Sequence, residues 1–273
     1  MQRSMILPAV VLIAPAFAAA QEGTSSPKTW TSSIGVATVA MPTYTGSNRY
    51  RVRAVPVVQL EFKDRAYLGS SSGGVGGGVG IYMIRNSSLS WSTELSGAGK
   101  RRESFGDGLA GMGTRDGGTF VGNNIAYRVG SLTAAANVAV GLGKDEGSTG
   151  SVNAETRHVF ARRWISSVSS GATFANSDNM NFDFGINSTQ AGRRQALIAA
   201  GDSRLSANDG RMYSPKGGLK QAQVSTSLGF LISNRTTAMA FATGTRLGNQ
   251  AAESPLTRKR NGMMAGLGIV YGI

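Results

Sequence analysis

Two glycine-rich segments of this sequence contain residue types that could bind a nucleotide phosphate. Residues 70–80 read SSSGGVGGGVG, and residues 141–148 read GLGKDEGS. A phosphate loop needs a helix directly after its glycines, because the free amides at the helix N-terminus bind the phosphate. The first segment continues with strand-like residues, and the second has Asp145 where serine or threonine is required. We therefore predict a structural role for both segments and no nucleotide site.

Residues suited to acid–base or nucleophilic catalysis are few. His158 is the only histidine, and no nucleophile is recognisable near it, which favours a structural or interfacial role. Glu155 and Arg157 are expected on the inward face of one strand, and Glu61 on that of another. Paired charges in a wet interior need no catalytic explanation. The chain has no cysteine, which excludes thiolate metal sites. We expect no enzyme activity, no catalytic residue, no metal site and no cofactor.

The C-terminal segment NGMMAGLGIVYGI indicates the kind of element that positions these residues. Large or apolar side chains occupy its odd positions, from Met263 to Ile273, and glycine occupies most of its even positions. An alternation with period two is typical of a strand, whereas glycines at these positions would weaken a helix. One face is fully apolar and the other is small. Such a strand fits either the inner face of a soluble sandwich or the lipid face of a membrane barrel.

Alternation of this kind recurs along the chain from Trp30 to the end. One face of each segment is apolar, and the other carries small, polar and some charged residues, as in a barrel with a lipid-facing exterior and a wet interior. The predicted strands are 30–41, 50–62, 65–71, 74–84, 88–98, 118–128, 131–143, 151–161, 165–175, 219–232, 236–247 and 260–273.

The connections between these strands favour the membrane barrel. The second, fourth, sixth, eighth and tenth strands end in tight turns, whereas most alternate connections are long, namely 42–49, 99–117, 144–150, 176–218 and 248–259. Short turns on the periplasmic rim and long extracellular loops are typical of outer-membrane barrels. We predict an all-β fold, a transmembrane antiparallel up-and-down β-barrel of about twelve strands, closed by its last strand because an open edge in lipid would leave backbone groups unpaired. Aromatic residues expected beside the short turns are Phe62, Tyr127, Phe160, Trp164 and Tyr271.

The longest loop, 176–218, interrupts the strand pattern. Residues Thr189 to Ala200 are predicted to form a short helix with Ser188 as its N-cap. Loops of this length usually have a function of their own. This loop could fold into the barrel mouth or cover it from outside, and the sequence leaves both arrangements open.

The first twenty residues have the features of a secretory signal peptide. Arg3 precedes an apolar stretch, which ends in a run of three alanines before Gln21. We expect residues 1–20 to be removed and residues 21–273 to form the barrel in the outer membrane of a Gram-negative cell.

The formal net charge of +13 requires an explanation. Export makes nucleic acid an unsuitable partner. Cations cluster in the predicted long loops, where they could contact the phosphates of lipopolysaccharide. A solvated rim without specific binding is an equally good interpretation. The candidate lipopolysaccharide-facing residues are Lys100, Arg101, Arg102, Arg258, Lys259 and Arg260.

Four stretches, taken in order, resemble a known family. They are WTSSIGVATVAMPTYTGSNRYRVRAVPVV, GKRRESFGDGLAGMGTRDGGTFVG, FDFGINSTQA and the C-terminal sixty-odd residues from YSPKGGLK to IVYGI. Together they are similar to the MipA/OmpV family of outer-membrane proteins. The chain departs from the family where Asp183 separates two phenylalanines, and it ends on Ile273 where outer-membrane barrels commonly end on an aromatic residue.

The resemblance implies a twelve-stranded barrel without enzymatic activity. It also implies a scaffold that brings a lytic transglycosylase, MltA, together with a bifunctional penicillin-binding murein synthase at the periplasmic face. Other members of the family are linked to adhesion, osmotic response or antibiotic susceptibility. A porin-like channel remains an alternative from the residues themselves, because the small residues predicted inside the barrel leave room for water. A surface enzyme is the least favoured hypothesis.

Overall fold

A computed structural model describes residues 30–69 and 77–273 of the chain. The predicted signal peptide, residues 1–20, lies outside these ranges. Within them, no helix is both long and apolar enough to cross a membrane. The strands β1 to β12 are Trp30–Pro42, Tyr50–Phe62, Ala66–Gly69, Gly78–Arg85, Leu89–Gly97, Thr119–Val129, Leu132–Gly141, Ser148–Phe160, Trp164–Ala175, Gly218–Leu231, Thr236–Leu247 and Asn261–Gly272.

These twelve strands form a closed antiparallel barrel, which confirms the predicted fold class. Each strand pairs with its neighbours in sequence, and β1 pairs with β12 in a register that runs from Ser33 opposite Gly272 to Ala40 opposite Ala265. Because the barrel is closed, the backbone groups of β1 and β12 form hydrogen bonds with each other. Of the predicted strand 65–71, β3 covers Ala66–Gly69, and residues 70–71 lie outside the described residues.

The exterior of the barrel is apolar, as the alternation predicts. In β12, Leu267 is 68% exposed and Ile269 is 53% exposed, and Ile269 lies opposite the equally exposed Val36 of β1. Their even-numbered neighbours face the interior, where Val270 is buried. A wall with large apolar side chains on its outer surface needs hydrocarbon around it.

One wall of the interior is apolar, whereas the sequence suggested a wet lumen throughout. On the wall formed by β1, β2, β11 and β12, inward side chains pack into an apolar cluster: Ala37, Val39, Val55, Val57, Met239, Phe241 and Val270. A Cβ atom at Gly266 would lie 2.6 Å from the Phe241 ring. The glycine-rich face of β12 therefore leaves space for this cluster. The sequence of β12 alone does not indicate that role.

One rim of the barrel carries the short turns, and we call it the short-turn rim: residues 63–65, 86–88, 130–131, 161–163 and 233–235. Two of these turns place non-glycine residues in the left-handed region, with φ of 46° at Lys63 and 58° at Arg162. Aromatic rings lie beside the same turns. Trp164 lies 4.7 Å from Phe230, centroid to centroid. A belt of this kind is typical of a membrane interface.

The opposite rim carries a folded layer, which we call the cap: residues 42–49, 99–117, 176–217 and 248–260. It contains three helices, α1 (Ser177–Phe184), α2 (Ser188–Ala199) and α3 (Asn249–Ala252). The cap has its own buried core, formed by Leu109, Met112, Ile186, Ala191 and Leu256. The long loops are therefore one packed unit and not separate extended segments.

The predicted helix in the longest loop exists as α2, but its predicted cap was wrong by one residue. Asn187, not Ser188, accepts a hydrogen bond from the amide of Gln190, and the Gln190 side chain in turn accepts from the Asn187 amide. This is a reciprocal capping box. The sequence analysis missed α1 entirely.

Candidate functional site

A cavity of about 600 Å³ occupies the cap end of the lumen. We call it the lumen cavity. Amide side chains from four strands line it: Asn124, Asn137, Asn153 and Gln223. Asn137 Nδ2 donates to Asn124 Oδ1 at 2.6 Å. The space exists because glycine, alanine and serine occupy many of the other inward positions on these strands.

Helix α1 lies over part of the cavity on the cap side. Its N-cap, Asn176, accepts hydrogen bonds from the amides of Asn179 and Ser148, which fixes the helix start to β8. Phe182 and Asp183, in its last turn, line the lumen cavity together with the strand side chains. Part of loop 176–218 therefore folds into the mouth of the barrel.

Ion pairs hold α1 in the mouth. The Asp183 carboxylate contacts Arg115 Nη1 through Oδ1 and Lys220 Nζ through Oδ2, each at 2.6 Å. Lys220 Nζ also donates to Asn179 Oδ1 at 2.7 Å. Burial alone would raise the pKa of Asp183, but the charges of Lys220 and Arg115 outweigh burial and hold that pKa well below its usual range. Arg101 donates to the Asp183 carbonyl oxygen, and burial lowers the pKa of Arg101 to about 10.

A second polar centre lies inside the cap. The side chain of Arg194 is fully buried and donates to three backbone carbonyls, those of Gly108, Ala110 and Asp209. Asp209 also accepts two hydrogen bonds from Arg258, both at 2.9 Å. Arg194 joins loop 99–117 to loop 176–217, and Arg258 adds loop 248–260 through Asp209, so the arrangement stabilises the cap.

The remaining candidates for chemistry do not converge on one site. Glu61 contacts Arg85, which also reaches Asp64 at 3.2 Å, so Glu61 lies near the short-turn rim. Glu155 is half-buried, and His158 is exposed near the end of β8. Within residues 30–69 and 77–273, no group of three histidine, cysteine, aspartate or glutamate residues is placed to hold a metal.

The short-turn rim is strongly basic, a feature that the sequence analysis overlooked. Its turns carry five exposed cations. Among the described residues of these turns, the one exposed carboxylate is that of Asp64. The cations are Lys63, Arg65, Arg162, Arg163 and Arg235. Counting charged residues within the predicted turns, and not only in the long loops, would have revealed this surface.

The family of the chain follows from its sequence as a whole. The family model described as "MltA-interacting protein MipA" matches residues 34–273, from the first strand to the last residue. The chain belongs to the MipA family. Among curated proteins, none matches it.

Solved structures similar to this MipA-family barrel are related to it at low identity. They include OprB of Pseudomonas putida, 12% identical with a TM-score of 0.37, over 81% of this chain and 59% of OprB. The NanC porin is 7% identical with a TM-score of 0.46, over 87% of this chain and 98% of NanC. The outer membrane channel DcaP of Acinetobacter baumannii is 7% identical with a TM-score of 0.42, over 89% of this chain and 96% of DcaP.

The six cations predicted to face lipopolysaccharide are all in the cap of this MipA-family barrel, but they differ in environment. Arg101 binds Asp183, Arg258 binds Asp209, and Arg260 donates to the Leu247 carbonyl and to Asn249. Arg260 is exposed all the same, and so are Lys100, Arg102 and Lys259. Lys100 forms an exposed ion pair with Asp116.

Proposed function

We propose that this MipA-family barrel is an outer-membrane scaffold that binds murein enzymes through its short-turn rim. The observation that carries the proposal is the exposed basic surface of that rim. A rim with five cations in its turns suits an acidic face of a periplasmic protein, because complementary charges accelerate and orient association. The family description, which names an MltA-interacting protein, supports a lytic transglycosylase as one partner. The second partner is a penicillin-binding murein synthase.

Backbone conformation supports a role for two turns of the short-turn rim. Four non-glycine residues in two short turns have positive φ, namely Lys63, Asp64, Ala161 and Arg162. A left-handed conformation costs a non-glycine residue roughly 1–2 kcal/mol. Strain that is retained in a turn is an indication of function. The four strained positions hold two cations, one carboxylate and one alanine, so the strain marks the two turns and not their charge.

A channel is the second candidate, and the lumen cavity is the observation that favours it. The mouth weighs against a permanently open pore, because α1 lies in it and Asp183 is bound there by two cations. The apolar cluster on one wall of the lumen narrows the interior further. The scaffold is therefore the primary proposal.

The proposal also includes export and contact with lipopolysaccharide. Residues 1–20 would direct export, and the mature barrel, residues 21–273, would carry the cap, including loop 176–218, on the extracellular side. Of the six candidate cations, the exposed Lys100, Arg102 and Lys259 would contact lipid phosphates there. Bonds within the cap already occupy Arg101, Arg258 and Arg260.

A binding assay with purified proteins tests the scaffold. The folded barrel would be immobilised and titrated with the purified lytic transglycosylase and, separately, with the murein synthase. We expect saturable binding that weakens as salt is raised, since exposed charges are screened. A barrel with Lys63→Gln, Arg65→Gln, Arg162→Gln and Arg163→Gln should bind at least tenfold more weakly.

The matched control carries Lys100→Gln, Arg102→Gln and Lys259→Gln in the cap and should bind like the wild type. Absence of binding to both enzymes would exclude the scaffold. Equal binding by the rim variant and the wild type would exclude this rim as the docking surface.

A further inference from the structure

The lumen cavity is not needed for docking at the short-turn rim, yet it has the size of a ligand site. Its volume of about 600 Å³ lies within the roughly 300–1,000 Å³ of typical small-molecule sites. Strand side chains form most of its wall, and α1 covers it. Sites built on strands are held more rigidly than sites on loops.

The wall of the cavity is rich in uncharged hydrogen-bonding groups. Amides and hydroxyls project from β6 to β11, and some of them occupy space that neighbouring glycines leave open. A Cβ atom at Gly171 would lie 2.0 Å from Asn153 Oδ1, and one at Gly122 would lie 3.3 Å from Asn137 Nδ2. Each amide offers two donors and an acceptor. Such a wall matches a solute with several hydroxyl groups.

The charged side chains that line the cavity are net positive, because four cations and two carboxylates face it: Arg51, Lys220, Lys259 and Arg260, with Glu94 and Asp183. Asp183 is neutralised by Lys220, and Glu94 Oε2 accepts from the Tyr67 hydroxyl at 3.0 Å. Arg51 also lines the cavity, and its Nε is buried without a hydrogen-bond partner among the described residues. Its guanidinium lies 4.8 Å from the centroid of the Phe105 ring, which orients it. A buried donor without a partner is costly, so it indicates a group that binds there.

We propose that the lumen cavity binds a small hydroxylated anion, such as a sugar acid or a sugar phosphate. Arg51 contacts the carboxylate or phosphate, for which its fork of donors is suited. Asn124 and Asn153 donate to and accept from the hydroxyl groups. This activity is independent of the scaffold, because it uses the opposite end of the barrel.

Isothermal titration of the full-length folded barrel in detergent tests the site. The probes are glucuronate and glucose 6-phosphate, with neutral glucose as the matched control. We expect saturable binding of at least one anion, with glucose at least tenfold weaker. Arg51→Gln should weaken the binding of that anion at least tenfold. Arg128→Gln, which removes an arginine that does not line the cavity, should stay within twofold of the wild type.

The two anions distinguish a carboxylate site from a phosphate site. If neither gives a saturable signal, or if glucose binds as tightly as the better anion, the proposal is wrong. Equal anion binding by Arg51→Gln would also overturn it. Heat-dependent electrophoretic mobility shows whether each variant has folded. Arg51→Lys keeps the charge and should retain part of the affinity, which separates loss of charge from loss of packing.

Discussion

At the scale of single residues, one fully buried charge, Arg194, and one half-buried charge, Asp183, determine whether the cap is a rigid unit. Arg194 satisfies three carbonyl oxygens from two different loops, and Asp183 joins α1 to β10 and to the loop that carries Arg115. Removal of one member of a buried polar group leaves its partners without hydrogen bonds, which costs more than the bond itself contributes. Both residues can be tested without changing the strands.

Arg194→Met should loosen the cap without unfolding the barrel. Loss of a buried, paired charge costs about 3 kcal/mol or more, and each 1.4 kcal/mol is roughly a tenfold change in population. Cleavage of loop 176–218 by thermolysin should therefore accelerate about a hundredfold. The adjacent and exposed Arg193 provides the control, since Arg193→Met should leave the rate unchanged. Equal rates in the two variants would show that Arg194 does not hold the cap.

The stability of the cap should fall only in strong acid. The pKa of Asp183 is depressed in the folded state, so its ion pairs contribute fully above the unfolded value of about 3.9 and are lost as the pH falls through the folded value. We expect little pepsin cleavage of loop 176–218 at pH 4 and increasing cleavage towards pH 2. Asp183→Asn should be cleaved readily throughout. A wild-type transition above pH 5 would contradict this assignment.

At the scale of elements, the strands were predictable and the cap was not. Every strand in contact with lipid needs one apolar face. The alternation of apolar residues such as Leu267 and Ile269 therefore predicts the strand without any further information. Helix α1 buries side chains against β9 and β11 in the cluster of Ala175, Met180, Phe184, Leu247 and Ala251. Those partners are distant in sequence, and local patterns do not specify them. The Asp183 ion pairs join residues 68 and 37 positions apart for the same reason.

We expect some glycines inside the barrel to be required because an aromatic ring packs directly against them. A Cβ atom at Gly80 would lie 2.3 Å from the Tyr67 ring, and the three nearest atoms all belong to that side chain. Gly80→Ala should therefore lower the unfolding midpoint in urea. In a Tyr67→Ala background the same change should have little further effect, which a double-mutant cycle measures. Additive effects of the two changes would show that the ring does not restrict Gly80.

At the scale of the whole molecule, the two ends of the barrel differ in chemistry. The cap end is covered by packed loops with internal ion pairs, whereas the short-turn end presents exposed cations on tight hairpins. The strands form a closed barrel whose outer surface is apolar and lies in hydrocarbon. Only the two rims of such a barrel are accessible to other proteins. This asymmetry is the physical basis for placing partner binding at the short-turn rim and ligand binding beneath the cap.

The central claim is that α1 blocks ion flow through the mouth, so that the protein acts through its short-turn rim. Electrical recording of the wild-type barrel in planar bilayers at neutral pH tests this claim most directly. Replacement of residues 177–184 by a glycine–serine linker would provide the conducting control. We predict no stable conductance steps from the wild type and clear steps from the control. Stable, long-lived open steps from the wild type would contradict the account, because they would require a continuous water path past α1.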